Sequence, residues 1–442
     1  MNAKRELATA CVFPSFPGSA PPDWVRRFLA EGGGGVVLFA HNIESTEALV
    51  RLGWLLRDER PDLLLAIDEE GGDVTRLEWR EGSSYPGGAA LGGLDNVDVT
   101  ESVGRSLAAD LAAVGVNWNL APVADVNVPA NPVIGTRAFG SDADVVARHV
   151  AAFVRGLQSL HVAACAKHFP GHGSTTQDSH LVLPTLVGDV ADGLPPFRAA
   201  IAAGVQSIMT AHVRVRERPA TVDPSILHGL LRDELGFRGV VMADALEMKA
   251  VSETIGVEET AVLALEAGVD ALCVGHDLGE DAVASIVAAL AARVDEERLR
   301  EAADRVRRLA AWARPQPGGP DRAAAARAAR DALVVEGDVK VGASPVVVEL
   351  RPPANIAAGE ALHVLGGATV IREGEPVPTA DVLVVRDAHR HAWMRHAVDC
   401  SAAAVIVETG VPVWKPARCR GYIATRGGGA ASLRAAEEAL GL

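Results

Sequence analysis

The chain has 442 residues, of which 49% are hydrophobic and 22% are charged, a balance typical of a globular protein with two or three domains. Its 42 basic and 57 acidic residues give a formal net charge of −15, which argues against a nucleic-acid-binding protein and against attachment to anionic lipid. No apolar run reaches the roughly 18 residues of a membrane span.

Short apolar runs alternate with amphipathic stretches in the first part of the chain, which predicts parallel βαβ units. The predicted helices are residues 22–31, 46–57, 103–114, 142–160, 193–203, 225–234 and 258–267. Eight strands favour a (β/α)8 TIM-type barrel, with an open, doubly wound sheet as the alternative because periodicity does not distinguish the two. The predicted strands are residues 8–13, 35–40, 63–69, 116–126, 162–169, 207–213, 239–245 and 269–275.

Titratable residues stand where six of the eight predicted strands end. In a closed parallel barrel all these ends open on one face, where active sites lie. An open sheet needs such residues only near one switch point. The pattern therefore favours closure, and the residues are Asp68-Glu69-Glu70, Asp125, Lys167-His168, His212, Asp244 and His276-Asp277.

The densest cluster of Pro and Gly, at residues 314–320, predicts a linker, since these residues interrupt helices and strands. The 122 residues that follow carry 14 basic and 14 acidic side chains, so the acidic excess lies before the linker. We predict a barrel domain over residues 1–314, a linker over 315–320 and a small αβα sandwich over 321–442. Its predicted elements are helices at 321–333 and 430–440 and strands at 345–350, 362–365, 382–386, 403–408 and 421–425.

Residues 426–429, Arg-Gly-Gly-Gly, follow one of these strands and precede the last helix. Such a turn is either an anion-binding helix N-terminus or a plain turn. It lacks the Lys and Ser or Thr of a P-loop.

The loop after the fifth strand, residues 167–180, contains one Lys, three His and one Asp. It is interpreted as a metal site of His168, His172, His180 and Asp178, as a catalytic flap, or as a set of backbone caps. Pro170 and the adjacent glycine disfavour the helix on which paired metal-binding histidines usually lie. A carboxylate two residues before an imidazole can orient the ring, so Asp178 and His180 are candidates for an acid/base pair.

Two further stretches carry candidate functional residues. Asp244, at the end of the seventh strand, is either a functional carboxylate or the cap of the next helix. Residues 68–76 have three acids before a Gly pair, which is compatible with Mg²⁺ or with sugar hydroxyls. Arg137 lies in a turn-rich loop, and this single residue does not by itself indicate a function.

Together these motifs resemble glycoside hydrolase family 3, specifically its β-N-acetylglucosaminidase branch. The resemblance runs from about residue 7 to residue 275, and the loop at 167–180 is specific, since other branches lack it. The C-terminal part resembles the α/β sandwich of two-domain members. The motifs are D-x-E-G-G-x-V-x-R at 68–76, N-P-V-I-G-x-R-A-F-G at 131–140, KHFPGHG…DSH at 167–180 and V-V-M-A-D-A-L-E-M at 240–248.

The resemblance implies a retaining glycosidase. Matched residue by residue, Asp244 is the nucleophile, and His180 is the acid and then the base, oriented by Asp178. Five further residues match positions that hold the non-reducing N-acetylglucosamine, and they are Asp68, Arg76, Arg137, Lys167 and His168.

The function implied is that of an exo-β-N-acetylglucosaminidase without metal or cofactor, acting on peptidoglycan fragments or chitooligosaccharides. Since a histidine repels an anionic acceptor less than a second carboxylate does, phosphorolysis is an alternative. A β-glucosidase and a catalytically silent sugar-binding protein are two others. Three residues depart from the family pattern: Glu69 where Gln is common, Asp73 where a basic residue is common, and Ser174 where an acid is frequent. The first two departures predict a more negative charge near the sugar site than is usual in the family.

The compartment is predicted from the N-terminus and the cysteines. The apolar run behind the basic N-terminal residues ends at Pro14, too early for a cleaved signal peptide. The five cysteines are far apart and form neither a disulfide framework nor a metal-binding spacing. We therefore expect a cytoplasmic protein.

Overall fold

The computed structural model describes residues 3–275, 277–354 and 363–442. Its larger sheet has eight parallel strands in the order β1-β10-β9-β6-β5-β4-β3-β2, and β1 and β2 lie side by side, so the barrel is nearly closed. This confirms the barrel over the open sheet. The barrel strands are β1 (Val12–Pro14), β2 (Gly35–Leu38), β3 (Leu64–Ile67), β4 (Trp118–Asn119), β5 (Ala163–Phe169), β6 (Ser207–Thr210), β9 (Val240–Ala243) and β10 (Ala271–Val274).

Helices surround the barrel, and a small hairpin, β7 (Arg214–Val215) and β8 (Arg218–Pro219), follows β6. None of the described helices is both long and apolar enough to cross a membrane. The helices are α1 (Ala3–Ala10), α2 (Asp23–Ala30), α3 (Thr46–Glu59), α4 (Gly88–Leu94), α5 (Val97–Ala113), α6 (Ala143–Gln158), α7 (Leu194–Ala202), a π-helical segment (Ser225–Glu234), α8 (Lys249–Ser252), α9 (Val257–Ala267), α10 (Glu280–Arg293) and α11 (Glu296–Trp312).

The inside of the barrel is filled by side chains and is not a pore. Trp118 is fully buried, lies 5.4 Å from the Phe13 ring in an edge-on contact, and donates through Nε1 to the Ser207 hydroxyl at 2.7 Å. The buried Cys165 and Met242 belong to the same cluster. Because the interior is packed, a ligand has access to the strand ends only.

The second domain is a three-layer sandwich around a six-stranded sheet of order β11-β16-β15-β14-β12-β13. Pairing is parallel except between β11 and β16. Leu433 and Leu440 cover one face and Met394 and Val398 the other. Its elements are α12 (Arg322–Asp331), β11 (Val334–Gly337), β12 (Val347–Leu350), β13 (Thr369–Ile371), β14 (Val382–Val385), α13 (Ala392–Asp399), β15 (Val405–Glu408), β16 (Gly421–Ala424) and α14 (Ala430–Leu440).

Three predicted strands are wrong in part. Of the strand predicted at 116–126, only Trp118–Asn119 is a strand, and Pro122 has no N–H with which to extend the sheet. Residues 8–10 belong to α1, because alanine favours helix and the last turn of this helix, residues 7–10, is buried on all sides. Of the strand predicted at 362–365, Leu362 lies outside the described residues. The following residues form no strand, because Gly366 and Gly367 have φ values of +55° and +69° and turn the chain.

The boundary at 315–320 stays a prediction. Between Trp312 and Arg322 the chain forms neither helix nor strand and lies against the barrel. There Gln316 donates its N–H to the Leu160 carbonyl at 2.8 Å.

Candidate active site

The carboxyl-terminal ends of the barrel strands bring the predicted site residues to one face. Asp68 follows β3, Lys167 and His168 lie near the end of β5, and Asp244 follows β9. His276, predicted at the end of β10, lies outside the described residues. These polar strand ends therefore lie on one face of the barrel, as a closed parallel barrel requires.

A buried ionic cluster forms the floor of the site. The Lys167 ammonium lies 2.6 Å from Asp68 Oδ1 and 2.7 Å from Glu70 Oε1. Arg137 donates to both oxygens of Glu70, at 2.9 and 2.7 Å, and Arg76 Nη2 lies 3.7 Å from Asp68 Oδ2. These carboxylates are held by cations, so the Mg²⁺ interpretation has no support here.

Glu70 was not among the predicted site residues, although it follows β3 with two other acids. Burial raises its pKa, but the charges of Arg137 and Lys167 outweigh burial and hold the pKa well below its usual value. Glu70 is therefore ionised and fixes both cations. Local sequence cannot reveal this role, since the partners lie 67 and 97 residues away (137 − 70 and 167 − 70).

His168 is oriented by Asp125, which follows β4. Its Nδ1 lies 2.7 Å from Asp125 Oδ2, and Asp125 Oδ1 also accepts the N–H of His172 at 2.6 Å. Since the carboxylate accepts, the proton between them is donated by His168 Nδ1, which fixes the orientation of the ring. Asp125 is thus a positioning residue that the sequence indicated only as a polar strand end.

Asp178 and His180 form the predicted pair on the loop after β5. Asp178 Oδ1 lies 2.7 Å from His180 Nδ1 and accepts the His180 N–H at 2.9 Å. Burial raises the pKa of Asp178, but the hydrogen bonds from His180 outweigh it, so the pKa lies below its usual value. The imidazole side chain is 24% exposed, which leaves its other nitrogen accessible to a ligand.

His172 anchors this loop. Its Nε2 lies 2.9 Å from Ser179 Oγ and its Nδ1 3.0 Å from Thr175 Oγ1, and burial lowers its pKa to about 4. Each histidine of the loop therefore has different hydrogen-bond partners. In the described part of the chain, no group of three or more His, Cys, Asp or Glu side chains is arranged around a metal position.

Asp244 lies on the same face, and the segment after it contacts that loop, where the Ala250 N–H donates to the Ser179 carbonyl at 3.4 Å. Its Oδ1 accepts the Ala245 N–H at 2.8 Å. Burial raises its pKa, but His168 and His212 outweigh burial, and His180 contributes in the same direction, so the pKa lies below its usual value. Asp244 caps no helix, since α8 starts at Lys249. It is an ionised carboxylate within electrostatic range of His180.

The two departures at Glu69 and Asp73 do not make the sugar site more negative. Glu69 is 1% exposed and accepts the N–H groups of Arg76 and Leu77, both at 2.9 Å. Burial raises its pKa to about 7. Asp73 is paired with Arg386 of the second domain at 2.8 Å.

Glu69→Gln is expected to stabilise the protein at pH 8 by about 1–3 kcal/mol and to change little at pH 5. The folded-state pKa, about 7, exceeds the ordinary 4.5, so stability is lost as the pH rises through this window. A Gln oxygen still accepts both N–H groups. Urea unfolding at both pH values measures the effect, with the exposed Glu81→Gln as the control. An unchanged pH dependence would contradict the assignment.

A cavity of about 1130 Å³ lies between this face and the second domain. Arg76, Arg137 and Asp178 line its barrel side, and Arg386 and His363 its other side. Asp244 and His180 do not line this cavity. The cavity therefore lies next to the candidate site, on the side of the buried ionic cluster. Its volume is that of a ligand-binding cleft.

Comparisons with known proteins identify the family of the barrel domain. A sequence profile described as the glycosyl hydrolase family 3 N terminal domain matches residues 23–309. A protein named Beta-hexosaminidase from Methylococcus capsulatus is 39% identical over 277 residues, which are 60% of this chain and 82% of that protein. A Beta-hexosaminidase from Stenotrophomonas maltophilia is 37% identical over 269 residues, 58% of this chain and 78% of that one.

Two solved structures extend the likeness. The glycoside hydrolase family 3 beta-N-acetylglucosaminidase from Paenibacillus sp. superposes with a TM-score of 0.87 at 28% identity and covers 100% of this chain and 97% of its own. NagZ from Neisseria gonorrhoeae, in complex with N-trifluoroacetyl-D-glucosamine, superposes with a TM-score of 0.58 at 29% identity. This superposition covers 69% of this chain and 98% of the NagZ chain. The first likeness includes both domains.

Proposed function

The chain belongs to glycosyl hydrolase family 3 and is a glycoside hydrolase of the β-hexosaminidase type, and on this premise we propose that it is a retaining exo-β-N-acetylglucosaminidase. The observation that carries the proposal is the Asp178–His180 pair in electrostatic range of the ionised Asp244. One group for covalent attack and another for proton transfer are what a retaining mechanism requires.

In the first step Asp244 attacks the anomeric carbon while His180 gives its proton to the leaving oxygen. The bond to the leaving group breaks and a glycosyl ester forms on Asp244. In the second step His180 takes a proton from water, the water oxygen attacks the same carbon, and the ester bond breaks. Asp178 keeps the imidazole oriented and stabilises its protonated form.

The sugar is held by the cluster around Lys167. Asp68 accepts from sugar hydroxyls, while Lys167, Arg76 and Arg137 donate to them, and the Asp125-oriented His168 presents Nε2. Support comes from their burial and mutual pairing, which fixes each group before a ligand binds.

The proposed substrates are peptidoglycan fragments or chitooligosaccharides with a terminal β-linked N-acetylglucosamine. The names of the relatives support the sugar class. We propose a cytoplasmic location, which the five unpaired cysteines support.

A panel of 4-nitrophenyl glycosides tests the substrate. We expect turnover of the N-acetyl-β-glucosaminide to exceed that of the β-glucoside by at least about 10²-fold in kcat/KM, because a site that binds the acetamido group rejects a sugar lacking it. Equal turnover would favour a β-glucosidase, and no turnover of any sugar would favour a silent binding protein.

The acceptor is tested on chitobiose with and without phosphate. We expect free N-acetylglucosamine under both conditions, analysed by mass spectrometry. N-acetylglucosamine 1-phosphate as the main product would establish the phosphorylase alternative and contradict hydrolysis as the principal activity.

A further inference from the structure

One carboxylate joins the two domains beside the candidate site. Asp73, in the loop after β3, accepts from Arg386 Nη2 at 2.8 Å and Nη1 at 3.2 Å. It also accepts the Gly428 N–H at 2.7 Å and the Thr136 hydroxyl at 2.5 Å. The Asp73 side chain is only 8% exposed, so three second-domain hydrogen bonds converge on a buried charge.

The second domain presents these donors from two rigid elements. Arg386 directly follows β14, and Gly428 lies in the turn between β16 and α14. This is the glycine-rich turn for which the sequence left an anion site open, and the anion found there is the Asp73 carboxylate. A side chain at Gly429 would approach the Gly72 carbonyl oxygen to 2.6 Å, so the two backbones pack in direct contact.

The same contacts fix the two loops that carry the proposed sugar-binding arginines. Asp73 lies between Glu70 and Arg76 in one loop, and Thr136 immediately precedes Arg137 in the other. Arg386 Nη2 also donates to Thr136 Oγ1 at 3.2 Å, so one guanidinium holds both loops. Burial lowers the pKa of Arg386, but the charge of Asp73 outweighs this and raises it, which favours the ion pair.

We propose that Arg386 is a positioning residue for the sugar site, and that the second domain thereby sets the geometry of Arg76 and Arg137. The inference rests on the proposed function for its kinetic consequence. Arg386 itself touches no reacting atom; it acts through Asp73 and Thr136.

The test compares Arg386→Gln, Arg386→Lys and wild type in the full-length chain. For Arg386→Gln we expect KM for 4-nitrophenyl N-acetyl-β-glucosaminide to rise at least about tenfold while kcat changes less than about threefold, since ground-state and transition-state contacts are lost equally. Arg386→Lys keeps the charge but not the two parallel donors of the guanidinium. Its KM is expected to lie between those of wild type and Arg386→Gln. The control is Arg330→Gln, which removes an exposed arginine paired with Glu438 within the second domain.

Hydrogen–deuterium exchange gives a readout that needs no substrate. We expect faster exchange in Arg386→Gln for amides of residues 72–77 and 133–138, and wild-type exchange in Arg330→Gln. Unchanged KM together with unchanged exchange in these loops would overturn the proposal, as would a loss of kcat alone. If wild type cleaves no N-acetylglucosaminide, the proposed function fails, but exchange still decides whether Arg386 holds the loops.

The double variant Asp73→Asn/Arg386→Gln is the control for a folding defect in Arg386→Gln. It removes both buried charges, so neither is left without a counter-ion, and its melting temperature should exceed that of Arg386→Gln. Its KM should stay raised, because a neutral pair does not restore the charge-assisted hold on the loops. A double variant with wild-type KM and wild-type exchange would contradict the positioning role.

Discussion

Asp244→Ala is expected to lower kcat on N-acetylglucosaminides by at least about 10³-fold, because no other group replaces the covalent step. Asp244 lies at the end of β9, with a pKa held below its usual value against the effect of burial. The loss should appear in kcat and kcat/KM alike, with an unchanged melting profile. Steady-state kinetics measure it, with Asp281→Ala, an exposed residue in the first turn of α10, as the control.

Azide separates a nucleophile from a group that merely supports the site. Without Asp244, azide should displace an activated leaving group directly and give the α-glycosyl azide, with inverted configuration. Nuclear magnetic resonance distinguishes the anomers. Turnover of Asp244→Ala at the wild-type rate, or β-azide as its product, would show that another residue forms the covalent intermediate.

The barrel could be predicted because its strands are short apolar runs separated by amphipathic helices. Both patterns are visible in the local sequence. The strands predicted at 35–40 and 207–213 appear as β2 and β6 with their first residues correct. Helix α4 could not be predicted, since its sequence GAALGGL has three glycines and weak helix propensity. Its contacts with the 135–137 turn, with α12 and with α6 account for its formation.

The candidate site divides in the same way. Asp178 and His180 are neighbours in sequence, so their pairing was predictable. The contacts of Glu69 and Asp73 were not, because their partners are set by tertiary structure. Charge counted along the sequence suggested a more negative site, whereas burial favours the neutral form of Glu69 and Arg386 pairs with Asp73. The sequence shows which residue types stand at a strand end, but the folded structure determines which of them are neutralised by burial or by a counter-ion.

His180→Ala is expected to lower kcat/KM by at least about 10³-fold on chitobiose and by only about tenfold on a 2,4-dinitrophenyl glycoside. The first leaving group needs a proton and the second does not, so the difference isolates acid catalysis. For Asp178→Asn we expect a smaller decrease in kcat/KM on chitobiose, since this substitution weakens only the orientation of the His180 ring. His228→Ala, at an exposed histidine of the π-helical segment, is the matched control.

The pH profile follows from the same assignment. The acid limb of wild-type kcat/KM on chitobiose should lie below the usual pKa of an aspartate, because the pKa values of Asp178 and Asp244 are both lowered. In His180→Ala azide should give the β-glycosyl azide from an activated glycoside, since the covalent intermediate still forms on Asp244. An α-glycosyl azide from this variant would mean that no covalent intermediate forms on Asp244.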